Sequence, residues 1–298
     1  MIATAALTPR RVWWSAVRPA TLAASVAPVL AGTAIAVHDG GARPAPGFAA
    51  LVVALAMQLG VNFANDYSDF RRGADTRQRI GPVRAASSGV VPPEHVRWAA
   101  VAAFGVAGVV GVALSLATDW RLLVVGAACL LAGWLYTGGP RPYGYLGFGE
   151  LFVFLFFGLV ATCGTVFVEE GRVTSLSLLA GCALGFLASA ILVLNNLRDI
   201  DSDRTAGKRT LATRIGRTST QRLVLALTGG AFLMVAIGVL AQVAPVTALV
   251  ALLAIPVATP AVRVAFSSAA GPHLVGALKQ MAAAELAFGL LLAVGLVS

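Results

Sequence analysis

Long apolar runs, each closed by a short polar break, make up nearly the whole chain. Nine candidate spans lie near 20–38, 46–65, 96–117, 121–138, 148–168, 174–197, 221–242, 244–264 and 276–297. A helix needs about 20 apolar residues to cross the hydrocarbon of a bilayer, and most of these runs supply them. They are too long for strands and show no alternation, which speaks against a barrel. Ala, Gly, Val and Leu dominate them, and small residues allow close helix packing in lipid. The longest polar break, between the second and third spans, has about 30 residues, too few for an independent core. The pattern predicts an all-α, polytopic membrane protein forming one transmembrane domain over 1–298.

Two spans end in polar stripes rather than scattered polar residues. In "NFANDYSDFRRGAD", Asn62, Asn65, Asp66 and Asp69 fall at i, i+3, i+4 and i+7 of a helix. In "LNNLRDIDSDRTAGKRTLATRIGR", Asn195, Asp199 and Asp203 fall at i, i+4 and i+8, again on one face, and Asp201 lies off it. The stripes close the second and sixth spans, so four crossings separate them. An even number of crossings returns the chain to the side it left, and both stripes face one mouth whatever the orientation.

Composition sharpens the class. Of 298 residues, 58% are hydrophobic and only 12% charged, a balance that excludes an ordinary soluble domain. The net charge of +9 could suggest a nucleic-acid partner, but its distribution describes topology instead. With the N-terminus inside, eighteen Lys and Arg fall on the cytoplasmic side, and Arg43, Arg121 and Arg172 on the other. This bias places the N-terminus and the striped mouth in the cytoplasm of a bacterial-type cell membrane. "TPRRVWW" before "TLAASVAPVLAGTAIA" imitates a secretory signal, yet eight further spans follow, and a retained first helix is expected. Cys129, Cys163 and Cys182 lie within apolar runs as small hydrophobes, and His38, His95 and His273 are scattered, with no metal-ligand spacing.

Carboxylates gathered at the mouth of an apolar bundle repel one another unless a cation intervenes. Asp and Asn oxygens without His or Cys suit Mg²⁺, which commonly binds together with phosphate. Arg71, Arg72, Arg77, Arg79, Arg84, Lys208, Arg209 and Arg214 follow the stripes and offer donors to a diphosphate. Simple helix-end pairing of Asp with loop Arg is the plainer alternative. An ion-coupled transporter is another, although it calls for ionisable groups at mid-span, where only Glu285 and Lys279 stand out.

These stripes carry a resemblance. The chain resembles the UbiA-type intramembrane aromatic prenyltransferases, through "VRPATLAASVAPVLAGTA", "NFANDYSDFRRGADT", "RIGPVRAASSG", "YTGGPRPYGYLGFGELFVFLFFGLVATCGT" and "LNNLRDIDSDRTAGKRTLATRIG". Within that family it is similar to the branch that prenylates 1,4-dihydroxy-2-naphthoate in menaquinone synthesis. The resemblance implies nine helices around a central cavity. It also implies Mg²⁺ as cofactor, held by Asn65, Asp66 and Asp69 of one motif and Asn195, Asp199 and Asp203 of the other, with the four Asp catalytic. Arg71, Arg77, Arg79, Arg84 and Lys208 are then the diphosphate ligands. Many relatives carry a third acidic residue where this chain has Gly73, with Asp75 two positions on.

The implied reaction joins a polyprenyl group from polyprenyl diphosphate to the naphthoate ring, with loss of diphosphate and carbon dioxide, giving demethylmenaquinol. Related enzymes use 4-hydroxybenzoate or homogentisate as acceptor. Asn62, Tyr136, Arg141, Tyr143 and Tyr145 are candidates for holding the acceptor or stabilising an allylic cation, the tyrosines through their ring faces. Ordinary turn chemistry in "YTGGPRPYGYLG" and helix-to-helix hydrogen bonding by Gln58 and Asn62 are equal contenders. Arg18 reads as an interfacial anchor or a diphosphate neighbour, and Glu150 as a partner for a loop Arg or for substrate.

Overall fold

A computed structural model describes residues 7–73, 81–267 and 271–298. The described elements are helical throughout: α1 (Pro9–Val17), α2 (Pro19–His38), α3 (Pro44–Arg71), α4 (Pro93–Ala117), α5 (Leu122–Leu135), α6 (Gly149–Val153), α7 (Ala161–Glu170), α8 (Ser175–Thr205), α9 (Leu211–Leu240), α10 (Ile255–Phe266) and α11 (Gly271–Val297). A π-helical stretch, Phe154–Val160, joins α6 to α7 as one crossing, and a 3₁₀ stretch, Val246–Ala254, leads into α10. Eight of the resulting helices are long and apolar enough to span a bilayer. The ninth expected span is the shorter Leu122–Leu135, whose 14 residues rise only about 21 Å. Turns flank it, with Arg121 folded back on Asp119 at 2.6 Å.

The chain is an integral membrane protein, and its burial is inverted relative to a soluble one. Large apolar side chains such as Val109, Leu116, Val124 and Leu240 are exposed where lipid would surround them. The packed core centres on α8, through Leu184, Leu187, Leu194 and Leu197, with α2, α9, α11 and the Val246–Ala254 stretch around it.

Helix α1 contains the "PRRVWW" segment that imitated a signal. Thr8 caps it, and Val12 and Ala16 bury themselves among Phe63, Ala64 and Val96. The break between α1 and α2 has a local cause. A residue preceding proline avoids the helical region, and Arg18, before Pro19, takes a left-handed conformation (φ 53°, ψ 66°). The Thr21 amide then turns to the Arg18 carbonyl at 2.8 Å, leaving the Val17 carbonyl without its helical partner. The Asn62 side-chain amide supplies one at 3.0 Å.

At the end of α3 away from the stripes, a buried carboxylate clasps three elements. Glu169 accepts from Thr33 Oγ1 at 2.6 Å and from the Arg43 backbone at 3.2 Å. Arg43 returns its guanidinium to the Val168 and Glu169 carbonyls at 2.6 and 2.7 Å. Those carbonyls end α7 and need donors, which a basic side chain provides.

The π-helical stretch packs against α8 through glycines. A Cβ placed on Gly158 would lie 2.3 Å from the Gly185 Cα and 2.5 Å from the Gly181 carbonyl oxygen, so both partners in that seam are backbone. Gly158→Ala therefore has to separate the two helices. The expected loss is about 1–3 kcal/mol, as for other overpacked sites, read as a lower Tm of the detergent-solubilised protein. An unchanged Tm would show that the seam is not close-packed.

Candidate active site

The first stripe does three different jobs along α3. Deepest, Gln58 and Asn62 stitch α3 to the α1–α2 break. Gln58 Nε2 donates to Asn62 Oδ1 at 3.1 Å and to Thr21 Oγ1 at 3.3 Å, and Asn62 Nδ2 donates to Val17 O and to Thr21 Oγ1 at 3.2 Å. Here the Asn62 amide makes the helix-to-helix hydrogen bonds weighed for it from the sequence. One turn on, Asn65 Oδ1 accepts from Thr137 Oγ1 at 2.7 Å, tying α3 to the end of α5. Asp66, wholly buried, receives the backbone N–H of Ala85 at 2.8 Å and of Ala86 at 3.1 Å. In this arrangement it anchors the loop from "RAASSG".

Asp69 is the hub. Its Oδ2 accepts from Arg84 Nη2 at 2.9 Å, and its Oδ1 from Lys208 Nζ at 3.2 Å and from the Tyr145 hydroxyl. Lys208 belongs to the other stripe, and local sequence brings it here. Helix α8 ends in a Schellman turn: Gly207 adopts φ 72°, its N–H bonds Arg204 O at 3.2 Å, and the Lys208 N–H bonds Asp203 O at 2.8 Å. The turn swings the Lys208 side chain back over the helix end, with Nζ 3.9 Å from Asp203 Oδ1. One ammonium thus bridges a carboxylate from α3 and a carboxylate from α8, and the two stripes meet.

The second stripe is rotated from its expected phase. Asn195 and Asp199 are half-buried and held by the buried Arg198, through Nη2 at 2.8 Å and Nε at 2.7 Å respectively. The residue that faces inward beside Asp203 is Asn196, which spacing alone overlooked; both are 8% exposed. Asp201 is exposed and lies 3.8 Å from Arg204. Arg77, Arg79 and Asp75 fall outside the described residues.

The connection after α5 lies over this mouth. Tyr145, on the Tyr143–Leu146 3₁₀ turn, has Lys208 Nζ 4.5 Å and Arg72 5.6 Å from its ring centre, and its carbonyl accepts the Arg209 N–H at 2.9 Å. Arg72 also donates to Gly139 O. Tyr143 is built into the wall: its hydroxyl donates to Ala132 O at 2.9 Å and its ring stacks on Phe152 at 4.1 Å. Tyr136 meets Tyr143 edge-on at 5.5 Å. Arg71 and Arg141 are exposed.

Among the described residues, no three His, Cys, Asp or Glu side chains gather closely enough to hold a metal by themselves. What the mouth offers is two convergent carboxylates with a cation already between them. That donor set fits Mg²⁺, which takes few protein carboxylates and completes its shell with water and phosphate oxygens.

An all-helical membrane bundle with two Asn/Asp helix ends sharing one mouth defines the class. The chain belongs to the UbiA prenyltransferase family, whose model matches residues 25–272. It is 45% identical over 270 residues, 90% of each chain, to the 1,4-dihydroxy-2-naphthoate octaprenyltransferase of Mycobacterium leprae. Among solved structures it has the fold of a UbiA homologue from Aeropyrum pernix in its apo form, with TM-score 0.67 and 15% identity over 96% of this chain and 98% of that one. A UbiA homologue from Archaeoglobus fulgidus, solved with DMAPP and Mg²⁺, superposes with TM-score 0.59 and 14% identity over 95% and 99% of the two chains.

Asp66 gives a test separable from chemistry. Asp66→Asn places an amide where two backbone N–H groups now bond a carboxylate. Faster hydrogen exchange at Ala85 and Ala86 is expected, while Asp203→Asn leaves those two amides protected. Equal protection in both variants would remove the loop-anchoring role.

Proposed function

We propose that the protein transfers a polyprenyl group from polyprenyl diphosphate to 1,4-dihydroxy-2-naphthoate, releasing diphosphate and carbon dioxide and giving demethylmenaquinol. The naphthoate acceptor and the polyprenyl donor are supported by the relative at 45% identity. The observation that carries the site assignment is the Lys208 ammonium 3.2 Å from Asp69 and 3.9 Å from Asp203. It marks the point where a cation is stabilised by both stripes at once.

Asp69 and Asp203 are the residues best placed to hold Mg²⁺, with Asp66, Asp199, Asn65 and Asn195 around them. When bound, the metal supplies Lewis-acid withdrawal of charge from the diphosphate as it leaves. Lys208, Arg84 and Arg72 bring positive charge to the same mouth and stabilise the anion that departs. Tyr145 presents its ring beside them, and its hydroxyl holds Asp69 in place. Arg77 and Arg79 remain diphosphate ligands by their place in the sequence. Below the mouth the bundle excludes water, which an allylic cation requires until the ring attacks it. A polyprenyl tail loses roughly 0.8 kcal/mol for each CH₂ taken from water into an apolar medium, so the donor enters from lipid. The excess of Lys and Arg on one side supports a cytoplasmic mouth and N-terminus.

An ion-coupled transporter would need ionisable groups following one another through the membrane. Among the described residues most charged groups within the bundle gather toward its two ends, with Glu150 deeper and Glu285 fully buried in α11 as separate exceptions.

Purified protein supplied with a prenyl diphosphate and dihydroxynaphthoate should form prenylated product only with Mg²⁺ present. A parallel reaction with 4-hydroxybenzoate should stay near background. Asp69→Ala and Asp203→Ala should each lower turnover by about 10²–10³-fold, the scale of losing a group that stabilises developing charge, while the protein still inserts. Turnover close to wild type in both would overturn the assignment, and preference for 4-hydroxybenzoate would overturn the acceptor.

A further inference from the structure

A second polar pair lies deeper along α8 than the Lys208 bridge. Glu150 begins α6 and is 8% exposed. Its Oε1 accepts from Asn196 Nδ2 at 2.8 Å, and its backbone carbonyl accepts from Ser189 Oγ at 3.0 Å, so two α8 side chains fix it. Among the described residues, its other oxygen, Oε2, is buried with no hydrogen-bond partner. Burying an unsatisfied carboxylate oxygen is costly, and an apolar residue would pack there without that cost. An orphan acceptor held rigidly by its neighbour is placed to take a hydrogen bond from a ligand's donor.

Position narrows what that donor is. Asn196, Asp199 and Asp203 stand at i, i+3 and i+7 of α8, one helical stripe. Seven residues separate Asn196 from Asp203, so Glu150 lies about 10 Å further into the bundle than the Lys208 bridge. Beside it is an aromatic wall. Gly149 has no side chain, and a Cβ there would lie 3.4 Å from the Tyr136 ring and 3.7 Å from its hydroxyl. Tyr136 is backed by Tyr143, which is itself stacked on Phe152. A flat ring face next to a carboxyl acceptor fits a flat aromatic ligand bearing a hydroxyl.

We propose that Glu150, oriented by Asn196, is the acceptor-binding residue: its Oε2 accepts a hydrogen bond from a ring hydroxyl of the aromatic substrate lying along Tyr136. The inference rests on the aromatic-prenylation reading above and specifies how that site holds its acceptor. A carboxylate takes a hydroxyl and repels a second carboxylate, so Glu150 also fixes which end of a dihydroxynaphthoate points inward. Its charge strengthens the hydrogen bond and leaves more electron density on the ring oxygen, and hence on the ring carbons that attack the prenyl cation. The hydroxyl proton is not transferred; Glu150 orients and polarises. Asn196 is a positioning residue that acts through Glu150.

Glu150→Gln keeps an oxygen for Asn196 and puts an NH₂ donor where the second oxygen was. In the purified full-length protein the expected result is a KM for dihydroxynaphthoate raised about tenfold or more, the scale of a lost charge-assisted hydrogen bond. The KM for prenyl diphosphate and the Mg²⁺ dependence should change less than about twofold. The wild-type protein supplies an arm that does not depend on the variant folding. Measured as competitive inhibitors, 1-hydroxy-2-naphthoate and 4-hydroxy-2-naphthoate each lack one hydroxyl, and one of them should bind about tenfold more weakly than the other. That difference should vanish in Glu150→Gln. Equal affinity of both analogues for wild type, or an unchanged acceptor KM in the variant, overturns the role of Glu150 while leaving the reaction intact. A wild-type protein that prenylates no naphthoate overturns the reaction itself.

Discussion

The Asp69–Lys208–Asp203 bridge is the contact on which the rest of the arrangement turns. Carboxylates at the end of an apolar bundle are costly unless a cation lies close to them. Here α3 and α8 each deliver one, and a single ammonium serves both. Arg84 and the Tyr145 hydroxyl complete the shell of Asp69, so the loops after α3 and α5 are tied to the same point. Four segments far apart in sequence thereby converge on one carboxylate.

That convergence has a functional consequence under the proposed reaction. A site that must accept a metal and a diphosphate benefits from cationic groups that can shift from carboxylate to phosphate as charge arrives. Lys208 and Arg84 are already at the mouth, so the incoming anion meets donors held in position, which reduces the reorganisation it must drive. The mouth is polar and the interior largely apolar, and the Glu150–Asn196 pair lies within that interior, as does Glu285 of α11. The two polar layers are about 10 Å apart along α8, a spacing that keeps the leaving diphosphate and the attacking ring on opposite sides of the reacting carbon.

The sequence was a good guide to elements and a poorer guide to their rotation. Among the described residues eight helices are long enough to span, and the ninth expected span, Leu122–Leu135, is shorter than its apolar run suggested. For the second stripe, spacing favoured Asn195, Asp199 and Asp203 over the set containing Asn196. On an ideal helix an eight-residue separation drifts about 80°, while a seven-residue one drifts only about 20°. Asn196 therefore shares the face of Asp203 more closely than Asn195 does, and the i+7 relation was the available signal. Arg198 could not be foreseen as the partner of Asn195 and Asp199, because pairing of neighbours on a helix depends on which way burial turns the side chains. The Asn62 amide was equally ambiguous until the break at Arg18 showed which carbonyl lacked a donor.

Sequence alone determined the membrane class and the return of both acidic stripes to one side, because hydropathy and parity need no coordinates. Only the tertiary structure decided which oxygens meet. Asp66 binds loop amides while Asp69 binds cations, and Glu150 finds Asn196 across two helices. Those choices follow from helix rotation and loop path, which are set by the packing of the whole bundle and are invisible in any one segment.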